Sequence, residues 1–154
     1  MKIDYSEKED IYYCDLKLKS LEHYGKTNKS NTLIRIDFHT LFNKPSVEQE
    51  NALNYLIENE EDIFKIMNLE IITTYNNEIL KKFEKFKKFL PIIKTESDLY
   101  NEIYITDILV SDNSKLDFAF VLFKGECSWD IEHGFCVVMH KNEFIELDSW
   151  DYYY

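Results

Sequence analysis

The residues able to do chemistry crowd into one stretch. Between Cys127 and Val138 stand two thiols (Cys127, Cys136), two carboxylates (Asp130, Glu132), an imidazole (His133), an indole (Trp129) and a glycine (Gly134). Read as a metal site, Asp130, Glu132 and His133 offer two oxygens and a nitrogen, a donor set that suits a divalent cation; Cys127, Cys136 or His140 could add ligands. The spacing fits no zinc pattern, and the second ligand pair that completes such sites is missing. In extended backbone Asp130 and Glu132 share a face and His133 points away. Read as a catalytic centre, Glu132 or Asp130 is a general base, or Cys127 is a nucleophile served by His133 or His140. No G-x-S-x-G, glycine-rich phosphate loop or H-E-x-x-H accompanies them. The third reading gives the stretch to the fold. Trp129 anchors a loop, Asp130 bonds loop N–H groups, Glu132 and His133 pair, and Gly134 supplies an unusual backbone angle. We favour this third reading, because polar groups buried in a tight connection need partners whatever the protein does. No metal, cofactor or catalytic residue is expected from it.

Elements must hold that stretch in place, and the pattern supplies them in three blocks of a single α+β domain, 1–154. The first is a strand pair in 10–43. Cys14, Leu16 and Leu18 alternate with Asp15, Lys17 and Lys19, and Ile34, Ile36 and Phe38 alternate with Arg35, Asp37 and His39. Glu22 to Asn31 is polar and joins them as a hairpin loop. The second block, 46–90, is helical. Ser46 and Gln49 form a capping-box start, with Leu53, Leu56 and Ile57 as an apolar face. Asn59 is placed to cap a second helix whose stripe runs Ile63, Met67, Ile71, Tyr75, Ile79, Phe83, Phe86, Leu90. Pro91 stops it. Lys81, Lys82, Lys85, Lys87 and Lys88 near its end read as complements to the helix dipole rather than as an anion site. The third block, 103–148, is a set of closing strands. Ser97 to Tyr100 is a helical turn before it, Asp112-Asn113-Ser114 is turn chemistry, Phe118 to Phe123 is a strand covered on both faces, and Phe135–His140 and Phe144–Leu147 close as a hairpin around Lys141-Asn142. The expected architecture is an antiparallel sheet with two helices packed on one face.

Charge narrows the partners. The chain has 29 acidic and 18 basic residues and a formal net charge of −11. Such a surface repels phosphate, which argues against nucleic acid, and it steers basic proteins inward. Hydrophobic residues make up 45%, a globular balance. An odd set of cysteines, Cys14, Cys127 and Cys136, with no C-x-x-C pair, argues for a reducing compartment. No apolar run approaches a membrane span, and the first residues lack the apolar core of a signal peptide. The expected location is the cytoplasm, with neither nucleic acid nor membrane as a partner.

The run Trp129-Asp130-Ile131-Glu132-His133-Gly134-Phe135-Cys136-Val137 resembles the W-D-x-E-H-G-φ-G-V signature, φ being apolar, of a widespread bacterial domain of unknown function. The layout is similar from about Ile11 to Leu147, with Cys127 also matching the common pattern. Cys136 departs from it, since the family usually has glycine there, and a side chain at that position is at odds with a close backbone approach. The resemblance implies no assigned catalysis. Proteins of this type look similar to immunity proteins encoded beside bacterial toxins, which implies a stoichiometric neutraliser of a toxin. The acidic charge is compatible with a basic toxin as partner. Acidic groups suited to such a contact are Glu58, Glu60, Glu61 and Asp62, and Glu143, Glu146, Asp148 and Asp151, with Trp150 as an aromatic hot-spot type. The alternative is a metal- or small-ligand-binding enzyme centred on Asp130, Glu132 and His133.

Overall fold

The computed structural model describes residues 2–25, 32–40 and 44–149. Seven strands form one sheet in sequence order: β1 (Asp4–Ser6), β2 (Ile11–Lys17), β3 (Leu33–Phe38), β4 (Ile103–Lys115), β5 (Phe118–Cys127), β6 (Asp130–His140) and β7 (Glu143–Asp148). All neighbours pair antiparallel except β3 and β4, which run parallel with Ile36 opposite Ile108. That pair is a correction to a purely antiparallel expectation, and its cause is the connection. The chain leaves β3, runs through the helical block over one sheet face and re-enters beside β3, which demands a parallel neighbour.

Two main helices cover that face, α1 (Val47–Glu58) and α2 (Glu60–Thr74). The capping box at the start of α1 is present: Gln49 N–H donates to Ser46 Oγ at 3.3 Å, and Ser46 N–H donates to Gln49 Oε1 at 3.0 Å. The Gln49 amide also turns inward. Its Nε2 lies 2.8 Å from His39 O, 3.0 Å from Ser111 O and 3.2 Å from Val110 O, which fastens the helix to the end of β3 and the interior of β4. Asn59 behaves differently from expectation. Its side chain does not cap α2 but donates back to Tyr55 O at 3.0 Å, closing α1 instead. Leu53, Leu56, Ile63, Phe64, Met67 and Ile71 are buried from these helices, against Ile36, Phe38, Val110, Phe123, Val137 and Met139 from the sheet. Each such aliphatic or aromatic side chain contributes roughly 1.5–3 kcal/mol by leaving water.

The apolar stripe does not continue to Leu90 as one helix. After Thr74 a π-turn spans Tyr75–Ile79, a last α-turn, α3 (Leu80–Lys82), follows, and Glu84–Phe89 is a 3-10 segment. A short helix, α4 (Glu96–Tyr100), follows with Thr95 and Asp98 as its capping box. The turn expected at Asp112-Asn113-Ser114 lies inside β4 instead. The chain reverses at Leu116 and Asp117, whose φ values of 50° and 64° make a mirror-image turn matched to the twist of a hairpin. The hairpin at Lys141-Asn142 is as expected, with Lys141 at φ 56°.

Candidate functional site

The stretch from Cys127 to Gly134 is a hairpin turn followed by a bulge. Cys127 pairs with Asp130 across the turn, and the next ladder pair is Gly125 with Phe135. β5 therefore advances two residues while β6 advances five, and Ile131 to Gly134 loop out of the ladder. Gly134 takes φ 60°, a left-handed conformation that glycine reaches without steric cost. Asp130 closes the loop: its Oδ1 accepts from the His133 backbone N–H at 3.1 Å and meets the ring Nδ1 at 2.9 Å. Asp130, rather than Glu132, is thus the carboxylate bonded to the imidazole. Glu132 and Ile131 are exposed.

Trp129 is buried, with its ring centroid 5.0 Å from that of Tyr75 in the π-turn. The Tyr75 hydroxyl donates to Pro91 O at 2.7 Å, so the indole, the π-turn and the proline are locked together. Ser128 N–H donates to Glu102 O at 2.9 Å and the Ser128 hydroxyl donates to the Glu102 carboxylate, pinning the turn to the start of β4. The space between Trp129, Asp130, Gly134 and the Ile79–Phe83 and Leu147–Ser149 segments is about 80 Å³. Small-molecule sites occupy roughly 300–1,000 Å³.

The chemical readings of this stretch fare differently. Cys127 is buried, its Sγ lies 3.6 Å from Asp130 O, and burial pushes its pKa up to about 12. It stays a thiol at neutral pH and makes a poor nucleophile. Cys127 pairs with Asp130 and Val121 with Met139, so His140 lies about seven ladder steps from Cys127, roughly 20 Å at strand rise. Its Nε2 meets Lys115 O at 2.8 Å. The His140 partnership for Cys127 is therefore closed by distance. Among the described residues no three His, Cys, Asp or Glu side chains are grouped to hold a metal ion. Cys136, where the signature has glycine, is fully buried on the sheet face away from the helices, packed with Leu122 and Val138. Burial raises its pKa to about 12 as well. The side chain is accommodated there in a small apolar cluster that Leu109 and Phe120 flank.

The larger concavity lies elsewhere, and the sequence reading reached only part of it. A cleft of about 350 Å³ opens between the 3-10 turn Lys19–His23, α2 and α4. Four carboxylates line it, Glu22, Glu60, Glu61 and Glu96, together with Phe64 and Tyr100; Lys19, His23 and Lys65 stand at it too. Its floor is a hydrogen-bond chain. The Tyr24 hydroxyl donates to Asn68 Oδ1 at 2.8 Å, and Asn68 Nδ2 donates to Glu96 Oε1 at 3.2 Å. The Tyr100 ring stacks on His23 at 5.2 Å and meets Tyr24 edge-on at 5.3 Å. Burial raises the Tyr24 and Tyr100 hydroxyls above their ordinary range, so both remain donors.

Of the acidic residues expected at a partner surface, Glu58, Glu61 and Asp62 are exposed at the α1–α2 corner. Glu60 is half-buried and accepts from Ser20 N–H at 2.6 Å, so it also ties α2 to the 3-10 turn. On β7, Glu143 and Glu146 are exposed, and Asp148 is half-buried with Oδ1 accepting from Ser149 N–H at 2.7 Å. Trp150 and Asp151 lie outside the described residues. Glu22, Asn68, Glu96 and Tyr100 were not singled out in the sequence, because they sit on elements up to 78 positions apart with no local motif joining them.

Compared with known proteins, residues 8–154 match the model of a family described as a domain of unknown function, DUF6985. No curated protein and no solved structure matches the chain.

Proposed function

The chain belongs to the DUF6985 family of domains of unknown function, and from that premise we propose that it is an immunity-type protein that neutralises a cognate bacterial toxin by stoichiometric binding. The observation that carries this reading is the cleft at the start of α2, where Glu22, Glu60, Glu61 and Glu96 outnumber Lys19 and Lys65 beside the half-buried Tyr100 ring. Carboxylates beside aromatic faces accept a lysine or arginine side chain, by ion pairing at the rim and by cation–π contact at the ring. Glu58 and Asp62 extend the acidic surface beside it, and the net charge of −11 steers a basic partner toward the molecule from a distance. The signature stretch supports the same reading by its other employment. Asp130, Trp129 and Gly134 are engaged in closing a bulge and anchoring it to the π-turn, which is scaffold chemistry.

The test is capture by tagged protein from the source cells, run beside the Glu61→Lys/Asp62→Lys variant. The reading expects one basic protein at a stoichiometric ratio with the wild type and its loss with the variant. It expects the gene of that protein next to this one. Capture that ignores the charge reversal contradicts the cleft as the contact.

A further inference from the structure

Lys81 and Lys82 lie in the last turn of the helical run and complement its dipole, whereas Lys85, Lys87 and Lys88 lie beyond its end. From Glu84 to Phe89 the chain is a 3-10 segment in which every residue is exposed. In that geometry side chains three apart eclipse one another. Phe86 and Phe89 therefore form one ridge and Lys85 and Lys88 another beside it, while Phe83 at the start of the segment is half-buried toward Trp129. Phe86 is 61% exposed, Phe89 74% and Ile92 78%. Three such apolar side chains in one short segment are a larger apolar protrusion than scattered surface residues explain. The cations sit close to the rings, with Lys88 Nζ 4.8 Å from the Phe89 centroid and Lys82 Nζ 5.9 Å from that of Phe83.

We propose that this double ridge, Phe86–Phe89 with Lys85–Lys88, is a peripheral contact site for an anionic lipid surface. It lies on the membrane without crossing it. Two observations select this occupant. The segment is basic, Lys85, Lys87 and Lys88 against Glu84, in a chain whose net charge is −11, so it is the face an anionic surface would draw inward. It also carries exposed rings beside ammonium groups, which a fluid headgroup layer accepts without preformed pockets. Repulsion from the acidic remainder is screened beyond about 10 Å at moderate salt. No helix among the described residues is long and apolar enough to cross a membrane, so the contact is superficial.

Sedimentation with vesicles tests this, using equimolar phosphatidylglycerol and phosphatidylcholine against phosphatidylcholine alone. The expected result is binding to the anionic vesicles only, reduced by about tenfold in Phe86→Ser/Phe89→Ser and reduced again by high salt. Both rings are exposed, so the variant should melt as the wild type does. Should it fail to fold, Lys85→Gln/Lys88→Gln tests the same ridge through charge alone. Absence of binding to anionic vesicles overturns the proposal, as does equal binding by wild type and variant. Ring-dependent capture of an acidic protein without vesicle binding overturns it too and assigns the ridge to that partner.

Discussion

Asp130 sets the scale of a single residue. Its carboxylate holds the His133 N–H and ring in place of water, and removing it loosens the bulge that these bonds close. Asp130→Ala should destabilise the protein by roughly 1–2 kcal/mol in urea denaturation while leaving partner capture unchanged. Loss of capture with unchanged stability would move the signature from scaffold to binding. The buried thiols make a second prediction at this scale. Burial raises Cys14 to about 11 and Cys127 and Cys136 to about 12, against an unfolded value near 8.5. A raised folded pKa means that the contribution is full below the unfolded pKa and is lost as pH climbs toward the folded one. Stability should therefore hold to about pH 8 and fall above it, by up to about 1.4 kcal/mol per pH unit for each thiol. Cys136→Ala should show a shallower alkaline slope than wild type in urea titrations at pH 8 and pH 10. Identical slopes would refute the burial argument. At this scale the sequence named the right residues of the bulge but paired His133 with Glu132, because a period of two cannot register the looped-out residues that bring Asp130 under the ring.

Among the elements, β5 depends on Gly125. A Cβ built there would lie 1.9 Å from Tyr104 O and 2.9 Å from Ile105 Cα, both backbone atoms that cannot rotate away. Gly125→Ala should cost more than about 3 kcal/mol or prevent folding, read by thermal melting; a near-neutral effect would mean that β4 and β5 shift apart freely. Element types were largely legible. The strand alternation in β2 and β3, the Ser46 capping box and the closing hairpin all follow from local pattern. The end of the helical block was not legible, since steps of three and four residues fit an α-helix as well as the π-turn and 3-10 segment that the chain adopts. The parallel β3–β4 pair was equally hidden, because alternation records which face a residue occupies and not the direction of its neighbour.

The whole molecule is where charge acts, and where the sequence was least able to place it. Net charge was readable, but the cleft is assembled from the turn at Lys19–His23, α2 and α4, which only folding brings together. A basic partner that docks by steering should bind with an association rate that falls as salt rises, whereas its dissociation rate should change little. The most direct test of the central claim is therefore a kinetic binding measurement with the captured partner, comparing wild type with Glu61→Lys/Asp62→Lys. The account predicts an association rate about tenfold slower for the variant at low salt, with the two proteins converging at high salt. Equal rates at low salt, for two proteins of equal stability, would contradict it.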